Sequence, residues 1–171
     1  PISRSYEIGD AAGYSPVQID FTSVATAGNL IAKATALEHP DVANSLIDST
    51  QNVNRYWTLT NSGIVFSDYS ATATYAAGDI DSGADPITFG IGKADACDGA
   101  LQNCTWTYPT VVGTPTTTSA QASGMTGFSH FVVGRRLRNF LVEAAGGGSI
   151  GTQDQDAPFS IRITGRDAVG N

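Results

Sequence analysis

The chain has 171 residues, a net charge of -7, a charged fraction of 15%, a hydrophobic fraction of 41% and 19 glycines. That apolar content suits one core of ordinary domain size with a small appendage. The acidic balance argues against nucleic acid, whose phosphates need a basic face, and no apolar run approaches the length that crosses a bilayer, so membrane insertion is not expected.

The sequence begins at Pro1 without a methionine, which suggests a processed or excised segment. Residues 4–10 predict a short strand running into a turn. In residues 17–24, Val17, Ile19 and Phe21 alternate with Gln18, Asp20 and Thr22, the period-2 pattern of a half-buried strand. Residues 30–36 read as its hairpin partner, and residues 40–49 as the one short helix. Val53, Trp57 and Leu59 share the inward face of a strand over 53–60. After the turn Asn61-Ser62-Gly63, residues 65–75 predict a long strand with Tyr69, Ala71, Ala73 and Tyr75 on one side. Residues 87–93 and 105–108 flank a polar loop as a hairpin, and residues 116–123 and 128–133 supply the last strands. Many short strands with regularly spaced turns predict an all-β fold, an antiparallel β-sandwich of Ig-like or jelly-roll-like type over residues 1–134.

Residues 135–139, with Arg135, Arg136 and Arg138, read as a basic linker to a C-terminal two-strand extension over 140–171. Phe140 and Val142 fall in its first strand. In the second, Phe159, Ile161 and Ile163 alternate with Ser160, Arg162 and Thr164; a Gly-rich and polar connection joins the two, and residues 167–171 read as a strand-ending turn. Two strands cannot bury a core by themselves. The segment therefore reads as a partial Ig-like repeat or strand-donating tail, with Phe140, Val142, Phe159, Ile161 and Ile163 expected against another β-surface, foremost that of a neighbouring copy.

Cys97 and Cys104 enclose a polar loop carrying an Asp-Gly turn. A disulfide there would contribute roughly 2–3 kcal/mol and implies an oxidising compartment. Asp79, Asp81 and Asp85 surround Gly83 and could offer hard oxygen ligands to calcium, although the spacing is not that of an EF-hand and an acidic β-turn is the alternative. His39, His130, Cys97 and Cys104 could in principle hold zinc, but their spacing matches no zinc pattern, and no other cofactor is indicated. His39 and His130 lie beside no nucleophile elbow, and Glu7, Glu38 and Glu143 are scattered, so no triad or acid/base pair is readable and no enzyme is expected. Tyr56, Trp57, Tyr69, Tyr75, Trp106 and Tyr108 could stack sugar rings if exposed in a row. The alternation of Trp57 with Val53 and Leu59 favours instead an inter-sheet core holding Trp57 and Trp106.

Four runs, Val53-Asn54-Arg55-Tyr56-Trp57-Thr58-Leu59-Thr60, Ala77-Gly78-Asp79-Ile80-Asp81, Trp106-Thr107-Tyr108-Pro109 and Gly124-Met125-Thr126-Gly127-Phe128-Ser129-His130-Phe131, together resemble a β-sandwich module. That module recurs in very large secreted or surface proteins of Bacteroidetes- and Ignavibacteria-like bacteria. His130, where such modules carry an acidic or polar residue, and the cysteine loop, an insertion, depart from it. Residues 158–171 separately resemble the start of the Ig-like repeats of bacterial adhesins. The resemblance implies a non-catalytic building block with no catalytic residues to carry over. The expectation is a structural subunit of an extracellular or cell-surface fibre, self-associating by β-strand addition through its tail, with copies of itself or neighbouring β-modules as partners. An adhesin or carbohydrate-binding module of a larger secreted protein, with surface glycans as partners, is the alternative.

Overall fold

Period-2 alternation of apolar side chains decides the architecture. The protein is described by a computed structural model over residues 2–154, 157–167 and 170. In chain order the strands are β1 Ile2–Tyr6, β2 Gly9–Asp10, β3 Gly13–Tyr14, β4 Val17–Phe21, β5 Val24–Thr26, β6 Asn29–Ala36, β7 Ile47–Ser62, β8 Val65–Phe66, β9 Tyr69–Thr74, β10 Phe89–Asp95, β11 Thr105–Thr107, β12 Thr110–Val112, β13 Ser119–Met125, β14 His130–Arg136, β15 Asn139–Ala144 and β16 Ile161–Arg166. They fall into two compact units, Pro1–Arg136 and Leu137–Asn171. The connection and turn expected at 152–156 and 167–171 lie partly outside the described residues.

Two five-stranded sheets build the first unit, in the orders β1-β4-β9-β13-β12 and β11-β10-β14-β7-β6, and every pairing is antiparallel. From the first sheet, Val17, Ile19, Phe21, Tyr69, Ala71, Ala73, Ala120 and Ala122 point into one core. From the second they meet Val53, Trp57, Leu59, Phe89, Ile91, Phe131 and Val133. The fold is thus all-β, with two sheets closed on a shared apolar interior, as alternation requires of half-buried strands. Buried polar tips find acceptors: Trp57 Nε1 donates to the Ser15 carbonyl at 3.0 Å, Tyr69 Oη to Gly127 at 3.0 Å and Tyr75 Oη to Thr116 at 2.9 Å.

Three expected elements come out differently. Residues 30–36 do not pair with β4. They form β6, which pairs with β7 in the other sheet, because the short β5 pairs with β8 at the sandwich end and carries the chain across. Residues 40–49 hold only a single 3-10 turn, Val42–Asn44. Ser45 ends it by accepting the Ile47 N–H on its hydroxyl, and Ile47 already begins β7. The strand expected over 65–75 is divided, since Val65–Phe66 pairs with β5 whereas Tyr69–Thr74 joins the first sheet.

The outer face of the second sheet is covered too. Val42 and Ile47 pack there on Val132, with Tyr56, Trp106 and Tyr108 around them. The sheet makes room through small outward residues. A Cβ on Gly134 would stand 2.4 Å from the Asn52 Cβ and 2.7 Å from Ile47, so no larger residue fits without moving β7.

The second unit is the antiparallel pair β15–β16, in which Val142 faces Ile163, Phe140 faces Gly165 and Ala144 faces Ile161. Its link turns at Gly147 and Gly148, both at positive φ, with the Gly147 N–H donating to Ala144 at 2.8 Å.

Candidate functional site

Chemistry-bearing side chains gather in three places. One is the covered outer face of the second sheet. His39, 1% exposed, sits edge-on to Tyr56 and Trp106 with ring centroids 5.1 and 5.4 Å away, and 5.3 Å from His130. Burial, reinforced by His130, pushes its pKa down to about 4 against the opposing pull of Asp41, so the ring is neutral at pH 7. His39 Nδ1 accepts the Asp41 N–H at 3.2 Å, and Nε2 finds no hydrogen-bond partner among the described residues.

Beside it the Asp41 carboxylate accepts Asn44 Nδ2 at 2.7 Å, Cys104 N at 3.0 Å, Trp106 Nε1 at 3.0 Å and Asn103 N at 3.2 Å. The Asn44 bond leads the interactions that hold its pKa below the usual carboxylate range. Asp41 therefore ties the cysteine loop to the segment over 37–46, and Gln102 Nε2 adds a bond to the Pro40 carbonyl at 2.9 Å. Cys97 and Cys104 form the expected disulfide. A ring nitrogen of His39 and the two sulfur atoms all lie within 4.8 Å of one another, the one such trio of potential ligand atoms among the described residues.

The second place is the acidic loop. Asp79 does not stand free: with Asp10 it pairs with Arg55, whose side chain is wholly buried on the inward face of β7. Arg55 Nε donates to Asp79 at 3.0 Å and Nη1 to Asp10 at 2.9 Å. Burial works against the guanidinium charge, but these bonds outweigh it and the pKa is raised. Asp81 accepts Asn52 N at 2.8 Å and Asn54 Nδ2 at 2.7 Å, and Asp85 accepts Ile87 N at 3.2 Å at the start of a 3-10 turn. Each carboxylate expected at a calcium site thus has a protein donor, and their ligand atoms do not form a trio of the kind found at His39.

The third place is one face of the second unit. Register puts Phe140, Val142, Ile161 and Ile163 on the same side of β15–β16, exposed by 62%, 47%, 45% and 60%. Phe159, just before β16, is also exposed. The opposite side carries a cross-strand ion pair, Arg162 Nη2 to Glu143 Oε2 at 2.6 Å.

The aromatic row that sugar stacking needs is not formed. Trp57, Tyr69 and Tyr75 are core, while Tyr56, Trp106 and Tyr108 are half-buried around His39 and Arg136. Trp106 is not inter-sheet, as expected from the sequence, but lies on the outer side of the second sheet. The Asp41 and Arg55 clusters were not expected, and the approach of His39 to Cys97 and Cys104 goes against the sequence spacing, which matches no zinc pattern. The small residues Gly90, Gly92 and Gly134 at outward positions, Gly90 directly opposite Gly134, are the one sequence signal that something covers that side.

No protein-family model, curated protein or solved structure matches the chain. No helix among the described residues is long and apolar enough to cross a membrane, and the disulfide fits an oxidising, non-cytoplasmic environment.

Proposed function

We propose that the chain is a non-enzymatic structural β-module of an extracellular or surface assembly, in which the apolar face of β15–β16 is covered by the same face of a neighbouring copy. The observation that carries this is the exposed quartet Phe140, Val142, Ile161 and Ile163 on one side of a two-stranded sheet. Two strands with a bare face are marginal in water, and their outer edges present unpaired backbone groups. A second copy brings an identical apolar face, so one two-fold contact buries both. The Glu143–Arg162 pair marks the opposite side as the one suited to water.

Light scattering over a range of concentrations tests this with the wild-type chain and the double variant Val142→Asp, Ile163→Asp. Both positions are exposed in the single chain, so the substitutions bear on association rather than on a core. Wild type is expected to grow in mass with concentration and the variant to stay monomeric. A variant that associates like wild type would remove this face from the assembly.

A further inference from the structure

A second feature, independent of the association reading, lies on the outer face of the second sheet. We propose that Cys97, Cys104 and His39 form a redox-gated site for a thiophilic divalent cation such as Zn2+, shut while the disulfide stands and available as a three-ligand set once it is reduced. His39 is buried, one of its nitrogens has no hydrogen-bond partner among the described residues, and a ring nitrogen already lies within 4.8 Å of both sulfurs. Tetrahedral zinc, with Zn–S of about 2.3 Å and Zn–N of about 2.0 Å, sets its ligand atoms roughly 3.5–3.8 Å apart. Once the S–S bond is gone, the sulfurs must part and the nitrogen close in, each by no more than about 2 Å.

The loop is held for this independently of the disulfide. Asn103 N and Cys104 N are bound to the Asp41 carboxylate and Gln102 to the Pro40 carbonyl, so the cysteines stay beside His39 after reduction. A dithiol reductant supplies two electrons and two protons, breaking the S–S bond to give two thiols while it becomes a disulfide itself. The cation then displaces both thiol protons, which leave to solvent, and is held by two thiolates and one neutral imidazole, with water in the fourth position. Coordination through Nδ1 replaces the Asp41 N–H at that atom; coordination through Nε2 moves the ring proton to Nδ1 and displaces the same N–H. Either mode costs that single 3.2 Å contact. The loop is thus stapled by a covalent bond in an oxidising setting and by a cation in a reducing one.

The test is a Co2+ titration of the full chain, oxidised and phosphine-reduced, read by thiolate-to-cobalt charge-transfer absorption. Reduced wild type is expected to take up one equivalent and oxidised protein none. His39→Phe, which keeps an aromatic ring against Tyr56 and Trp106, is expected to lose at least about tenfold in affinity when reduced. Nitrogen NMR of the wild-type imidazoles gives a check that needs no variant: Zn2+ should shift His39 in reduced protein only. Equal Co2+ uptake in both redox states, an unshifted His39 signal, or undiminished affinity in a folded His39→Phe protein would overturn the proposal.

Discussion

Arg55 is the residue whose environment depends most on its partners. Its side chain is wholly buried, while Asp10 and Asp79 keep 24% and 16% of their side chains exposed. Removing the cation leaves two poorly solvated carboxylates facing one another across the vacated place, and breaking a buried pair from one side is the costly way to break it. Arg55→Met is expected to lower unfolding stability by about 3 kcal/mol, read from urea denaturation. His39 predicts a pH dependence instead. Its pKa falls from 6.5 in the unfolded chain to about 4 in the folded one. The unfolded state therefore binds the extra proton between these values, and stability present above pH 6.5 is lost as pH falls toward 4. At about 1.4 kcal/mol per unit the full shift amounts to roughly 3.5 kcal/mol, of which about 2.5 falls between pH 7.5 and 4.5. Thermal melts from pH 7.5 to 4.5 should show the slope in wild type and a shallower one in His39→Phe; His130, also held below its ordinary pKa mainly by burial, supplies the remainder. An unchanged slope would remove His39 as its source. Neither residue was readable from the sequence, because each acts through groups tens of positions away. Asp79 stands 24 residues from Arg55, and His39 is buried by Tyr56 and Trp106.

At the scale of elements, alternation was a sufficient guide wherever one face of a strand meets the core. Val17, Ile19 and Phe21, and Tyr69, Ala71, Ala73 and Tyr75, are buried as their period predicts, and the hairpin around the cysteine loop forms as β10–β11. It was insufficient where the partner is distant. A strand such as β6 carries its alternation whether it pairs with β4 or β7, and the choice is made by the β5–β8 contact at the sandwich end. The helix expected over 40–49 does not form, because Val42 and Ile47 press on the outer side of a sheet rather than lining a helix. That outer packing predicts a sharp contrast between two glycines. Gly134→Ala drives a Cβ into Asn52 and Ile47 and is expected to cost about 2–3 kcal/mol. Gly99→Ala, with nothing within 4 Å, should change stability by no more than about 0.5 kcal/mol. Equal denaturation midpoints for the two variants would contradict the close approach of β7 to β14.

The whole molecule comprises a sandwich with its own closed interior and a two-stranded unit whose apolar side is open. The sequence displayed both: the alternation of Phe159, Ile161 and Ile163 announced a face in search of a core. Registering Phe140 and Val142 onto that same face required the pairing itself, Val142 against Ile163. The sandwich explains its own stability through its core, its satisfied tyrosines and its disulfide. The exposed face is what remains for association to explain. The most direct measurement is the mass of the purified, oxidised 171-residue chain by light scattering from micromolar to near-millimolar concentration. The mass is expected to rise from one copy to two or more across that range. A mass of one copy throughout would contradict it and assign the cover of Phe140, Val142, Ile161 and Ile163 to something other than a second copy.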